Sequence, residues 1–228
     1  MKKIFYVACF LLCSCKSITY QDVNPIIEPN NNLLPAIDIL VDINNLEATY
    51  SSGSFSSIAN NFGTAYMNNH AFGGWAQIAN TQGQHYKDAR VNDAINIFNK
   101  EVLENISNPY GVKKGYISLR LGYRGSEQSY VYPLVSIVSL FTINFMGFPY
   151  NKLKETLEVE VQIMNNKKEI IKRYVENVSN SNLMAMWRGY DGWPTLRRKV
   201  AADNIKQALE IIRKKINVDS VELKKKLK

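Results

Sequence analysis

The chain has 228 residues, 46% of them hydrophobic and 21% charged, a balance that suits one globular domain and excludes an intrinsically disordered chain. Its net charge of +8 is concentrated at the ends: Lys2 and Lys3 open the chain, and Arg213 to Lys228 holds seven basic against two acidic residues. Setting both groups aside leaves a body close to neutral, which gives no support to a nucleic-acid-binding face, so no nucleic-acid partner is expected.

Met1-Lys2-Lys3 precedes the apolar run Ile4 to Leu12, which is too short to span a bilayer and is built like a secretory signal. The next residues, Leu12-Cys13-Ser14-Cys15, resemble a bacterial lipobox. That resemblance implies that residues 1–15 are a lipoprotein signal peptide with its lipobox, that Cys15 becomes the first residue of the mature chain, and that it is acylated, palmitate included, with its sulfur in a thioether to lipid. An ordinary signal-peptidase cut and a short amino-terminal anchor are the alternatives. Cys9, Cys13 and Cys15 are the only cysteines, so a mature chain with Cys15 in a thioether keeps none for a disulfide, a zinc site or a nucleophile.

Residues 16–34 contain Pro25, Pro29 and Asn30-Asn31-Asn32 and are expected to form a polar tether. A single domain is expected over 35–217. Within it, Ile37, Ile39, Val41 and Ile43 alternate with other residues and predict a strand over 36–43. Residues 51–84 are rich in Gly, Ser and Asn, carry Phe55, Phe62, Tyr66, Phe72 and Trp75, and keep neither period. They read as a long loop, either a binding surface or a cover over the core. The spacing of Val91, Ile95, Phe98, Val102 and Ile106 predicts a helix over 88–106, stopped by Asn108-Pro109. Ile117, Leu119, Leu121 and Tyr123 predict a strand over 116–123. Leu157, Val159, Val161 and Ile163 alternate with Glu158, Glu160 and Gln162 before Asn165-Asn166, which predicts a hairpin returning through 170–178. Trp193-Pro194 opens a last helix, expected to run to about Asn217 with Ile205, Leu209, Ile212 and Ile216 on one side, and 218–228 is expected to be a basic tail.

The expected fold class is therefore α+β, an α/β sandwich: a small mixed or antiparallel sheet of about four strands with two helices packed on one face, in the order β-α-β-(β)-β-β-α. Behind a lipobox, this order resembles the domains of bacterial envelope lipoproteins, of the TolB amino-terminal and curli-secretion lipoprotein type. The passage from the run Leu134 to Phe148 through the 155–178 hairpin into a terminal helix resembles uncharacterised Bacteroidetes-type envelope lipoproteins. The resemblance implies architecture and location but no catalytic set.

Little else points to chemistry. His70 and His85 lie fifteen apart without a third ligand, so no metal site and no cofactor is expected. Glu158 and Glu160 share one strand face, normally the solvated one, and no nucleophile elbow or phosphate loop occurs, so the protein is not expected to be an enzyme. The uncharged run Val131 to Phe148 is the main internal feature. Fifteen residues between Pro133 and Pro149 make at most about 22 Å of helix against a hydrocarbon core of about 30 Å, which excludes a straight span. A buried strand and connection is the expectation. The alternative is a membrane-surface or oligomer interface carried by Leu134, Ile137, Leu140, Phe141, Ile143, Phe145 and Phe148. Trp187, Arg188, Tyr190 and Trp193, with Trp75 from the long loop, form a candidate binding loop for an aromatic, sugar or peptide ligand, or else close one end of the core.

The expected function is that of a lipid-anchored cell-envelope protein, in the outer membrane facing the periplasm or at the cell surface, that binds or scaffolds another envelope component. Its expected partners are the membrane through the lipid, an envelope protein, or further copies of itself. A self-assembling, membrane-active lipoprotein inserting 131–148 is the second expectation, and a cell-wall or glycan-acting enzyme the third.

Overall fold

The computed structural model describes residues 15–16, 33–52, 89–186, 189–190 and 192–227. Their strands are β1 (Cys15–Lys16), β2 (Asp38–Val41), β3 (Gly115–Gln128), β4 (Asn151–Asn165), β5 (Ile170–Met184) and β6 (Gly189–Tyr190). They form one mixed sheet in the order β1-β6-β5-β4-β3-β2. The helices are α1 (Ile43–Ser52), α2 (89–106, whose last turn Val102–Ile106 widens to a π-helix), α3 (Val131–Val138), α4 (Thr142–Phe145) and α5 (Trp193–Lys226). The fold is an α+β sandwich with an open sheet, as the apolar periodicity predicts.

The long antiparallel strands β3, β4 and β5 set the frame. Their register places Ile117 opposite Ile163, Leu119 opposite Val161, Leu121 opposite Val159 and Tyr123 opposite Leu157. Because side chains alternate across a strand, these residues form one continuous apolar face. Val91, Ile97 and Phe98 of α2 and Ile205, Leu209, Ile212 and Ile216 of α5 cover it, all in one buried cluster. Asn165 turns β4 into β5: its side-chain oxygen accepts from the Lys167 and Glu169 amides at 2.9 and 3.0 Å.

The sheet's other edge shows how side chains can stand in for a strand. β2 runs parallel to β3 and stops at Val41, opposite Leu119. Two residues on, the Leu121 amide donates to Asn45 Oδ1 at 2.8 Å and the Thr49 hydroxyl donates to the Leu121 carbonyl at 2.8 Å. Helix α1 thereby satisfies the backbone that β2 leaves open. Past this point β3 bulges between Tyr123 and Gly125, and Gly125 takes φ +147°, a conformation glycine tolerates at little cost.

Two expectations are corrected here. Residues 131–148 are not a buried strand but the two short helices α3 and α4. The last helix does not end near Asn217 but continues to Lys226, burying Ser220, Leu223 and Leu227. The reason lies at Gly115, where an added Cβ would come within 2.3 Å of the Met164 carbonyl and 2.7 Å of the Leu227 side chain. The missing side chain at the start of β3 leaves room for the end of α5, so the basic run Lys224-Lys225-Lys226 sits on a packed helical turn, where it also favours the helix C-terminal dipole. The expected tether, 16–34, is also corrected at its ends, where Lys16 lies in β1 and Leu34 is buried in the core; 17–32, and the expected loop beyond Ser52, lie outside the described residues, which resume at 89.

Leu223→Ala is expected to destabilise the protein by about 2–4 kcal/mol in urea unfolding, the cost of emptying a fully buried leucine site. A free basic tail at this position would leave the midpoint unchanged.

Candidate functional site

Three places could carry function: the α3–α4 end of the sheet, a buried polar cluster beneath α1 and α2, and a groove between α2 and α5.

At the first, β3 leaves the sheet at Gln128, opposite Leu153, and the chain returns as β4 at Asn151. Helices α3 and α4 therefore hang from one end of the sheet. Their apolar side chains face outward: Leu134 is 63% exposed, Ile137 60%, Val138 78%, Leu140 81%, Phe145 61% and Met146 79%. Phe141 is exposed as well, while Ile143 and Phe148 are half-buried. The polar residues Ser136 and Asn144 are the buried ones. Asn144 Nδ2 donates to Ser136 Oγ and to the Phe148 carbonyl, both at 3.0 Å, which ties the two helices to the exit of the segment. Leu140 and Phe141 join the helices with φ of +48° and +61°, a left-handed pair that bulky residues adopt only at a cost.

The same end of the sheet holds Cys15. Lys16 is in register with Tyr190, Tyr190 with Met184, and Met184 with Asn151, so β1 and the neck of the α3–α4 segment share one row. The Tyr150 amide adds a 2.9 Å bond to the Met184 carbonyl. Trp193 and Tyr150 pack beside this row against Leu153, Met184, Leu196 and Val200. Of the predicted binding loop, Trp193 thus belongs to a satellite apolar cluster that closes this end, and Tyr190 contributes strand backbone. Trp75, Trp187 and Arg188 lie outside the described residues, as does the amino-terminal signal before Cys15.

At the second place, Arg197 Nε donates to Glu155 Oε1 at 2.9 Å with both side chains nearly fully buried. Asn204 donates to the Glu155 carbonyl at 3.0 Å. The Arg90 guanidinium lies 4.7 Å from the centre of the Tyr50 ring and donates to the Tyr50 carbonyl at 3.3 Å. Burial raises the Tyr50 phenol well above its usual range and, with the neighbouring Arg197 charge, lowers the Arg90 pKa. The cavity among Thr49, Tyr50, Arg90, Tyr123, Glu155 and Asn204 measures about 10 Å³, the size of one water molecule and far too small for a sugar or peptide. Since Tyr50 lies in the last turn of α1 and Arg90 in the first turn of α2, the cluster clasps these two helix ends together. Sequence reasoning missed it because its members lie far apart in the chain and share no spacing.

The third place is a groove of about 270 Å³ between α2 and α5. It presents both signs of charge: Arg213 pairs with Glu101 at 3.3 Å, and Asp203 and Glu210 pair with Lys199 and Lys214 of the same helix at 2.5 and 2.7 Å. On the opposite, open face of the sheet, Glu158 is held by Arg124 and Glu160 by Arg173, so these two carboxylates lie in separate ion pairs. Among the described residues no group of three metal-ligating side chains occurs, and no helix is long and apolar enough to cross a membrane.

Glu155→Ala should cost about 3–5 kcal/mol of stability, because it leaves the buried Arg197 without its carboxylate. Adding Arg197→Met should restore part of the loss, and urea midpoints of the two variants would measure it.

No protein-family model and no curated protein matches the chain. Among solved structures, a candidate lipoprotein from Caulobacter crescentus CB15 aligns with 61% of this chain and 80% of its own length, at 13% identity and a TM-score of 0.29. A likeness that loose carries no conclusion about this chain's function.

Proposed function

We propose that this protein is a lipid-anchored protein of the bacterial cell envelope, held through Cys15, whose α+β domain binds or scaffolds another envelope component. The observation that supports it is the place of Cys15. The basic start, the short apolar run and Leu12-Cys13-Ser14-Cys15 mark this cysteine for acylation, and the same residue begins the first strand of the described fold. A lipid attached there would sit at an edge of the sheet and hold the domain at the bilayer.

The finer parts belong to the same proposal. They are a Bacteroidetes-type lineage, an outer-membrane location facing the periplasm, and a non-enzymatic role. The paired, mixed-charge groove between α2 and α5 suits contact with a polar protein surface more than capture of an ion of one sign.

Cys15→Ser should abolish incorporation of labelled fatty acid in cells, because the lipid bond forms at that sulfur. Undiminished labelling of the variant would refute the assignment.

A further inference from the structure

The α3–α4 segment is built inside out. On a helix in water, apolar residues turn to the core and polar ones to solvent. Here Leu134, Ile137, Val138, Leu140, Phe145 and Met146 point outward, whereas Ser136 and Asn144 are buried. Each serine and threonine hydroxyl of the segment is spent on its own backbone. Ser136 donates to the Tyr132 carbonyl at 2.8 Å, Ser139 to the Ser136 carbonyl at 3.0 Å, and Thr142 to the Ser139 carbonyl at 2.7 Å. Asn144 Nδ2 donates to Ser136 Oγ and to the Phe148 carbonyl, while its buried Oδ1 has no hydrogen-bond partner among the described residues. No charged residue occurs from Val131 to Phe148. Closing the hydroxyl and amide donors internally and turning apolar side chains outward is what a hydrocarbon surrounding favours, since lipid offers no hydrogen bonds.

Its size and place narrow what the surrounding is. The eight residues of α3 reach about 12 Å, far short of a hydrocarbon core of about 30 Å, so the segment can enter a leaflet but not cross it. Its neck carries aromatic residues of the kind that favour the headgroup level: Tyr130 is exposed, the Tyr132 and Phe148 rings lie 5.9 Å apart, and Tyr150 and Trp193 pack against one apolar cluster. The row Lys16, Tyr190, Met184, Asn151 sets β1 three strand spacings, about 14 Å, from that neck.

We propose that α3 and α4 form a second membrane contact, seated in the interfacial zone of the leaflet that holds the Cys15 lipid. The proposal deepens the reading of Cys15 as the anchor and rests on it. Two contacts on one sheet end fix the orientation of the domain. The β4–β5 turn at 165–170 points away from the bilayer, and the α2–α5 groove lies along the flank. A lipid anchor alone would leave the domain free to tumble about its attachment point.

The lipidated chain has no free cysteine once Cys15 is acylated, so a single probe can be placed at will. Ile137→Cys and, at the far turn, Asn166→Cys would each be labelled with an environment-sensitive dye. The lipidated proteins would then be bound to phosphatidylethanolamine–phosphatidylglycerol vesicles carrying nitroxide near the headgroup end of the acyl chains. Both sites are exposed, so neither variant disturbs packing. The dye at Ile137→Cys is expected to shift to the blue and lose about half its fluorescence to the nitroxide, while the dye at Asn166→Cys keeps its own. A dye at Ile137→Cys that stays water-like on protein that floats with the vesicles would overturn this proposal and leave the Cys15 anchor standing. Protein that fails to float would instead overturn the anchor. A blue shift without quenching that fades on dilution would mean that the segment packs against a second copy of the chain, and would overturn the membrane contact in favour of self-association.

Discussion

One apolar sheet face has to be covered, and the rest of the architecture follows from that constraint. Ile117, Leu119 and Leu121 on β3 meet Ile163, Val161 and Val159 on β4 in register. A slip of one residue would turn all of them to solvent, so the burial of this face fixes the pairing as well as the packing. Helices α2 and α5 have their apolar stripes at the spacing needed to lie on it, and α5 extends beyond the predicted end because Gly115 makes room for Leu227. At the β2 edge, where β2 ends before reaching Leu121, the side chains of Asn45 and Thr49 take over. The core and the hydrogen bonds at its border thus solve one problem together.

The buried polar cluster does a different task. Glu155, Arg197, Arg90 and Tyr50 join β4, α5, α2 and α1 where the end of α1 meets the start of α2. Buried ion pairs contribute little net stability against a well-packed apolar alternative, but they penalise any arrangement that separates the partners. Their effect here is to specify how the two helix ends meet. The carboxylates that looked most available for chemistry, Glu158 and Glu160, lie on the opposite open face within ion pairs to arginines.

At the far end of the sheet the rule that governs the core is reversed. Helices α3 and α4 keep Ser136 and Asn144 inside and turn leucine, isoleucine and phenylalanine outward. The strained pair Leu140 and Phe141 holds that turn in a left-handed conformation. If α3 and α4 meet lipid as proposed, a single chain holds two solvent preferences: water around the sheet and its helices, and hydrocarbon around a short segment at the end where Cys15 begins β1.

The amino-acid sequence by itself determined the elements whose periodicity is local. The hairpin around Asn165, the strand at Ile117 to Tyr123, the helix from Val91 to Ile106 and the start of the last helix at Pro194 were all legible, because spacings of two and of three to four residues report which face is buried. The lipobox-like pattern Leu12 to Cys15 can also be read without a fold, because such a signal is linear, and the anchor it suggests is a proposal. The run from Val131 to Phe148 could not be assigned that way: hydrophobicity states that a residue prefers to leave water, not whether protein or lipid receives it. Only the tertiary structure decided that the sheet's apolar face was already filled by α2 and α5, which left no room for this run in the core. Nor could sequence bring Tyr50, Arg90, Glu155 and Arg197 together or set Cys15 at the same end of the sheet as the neck of α3 and α4, because contacts between distant residues depend on strand register, which is a property of the folded sheet.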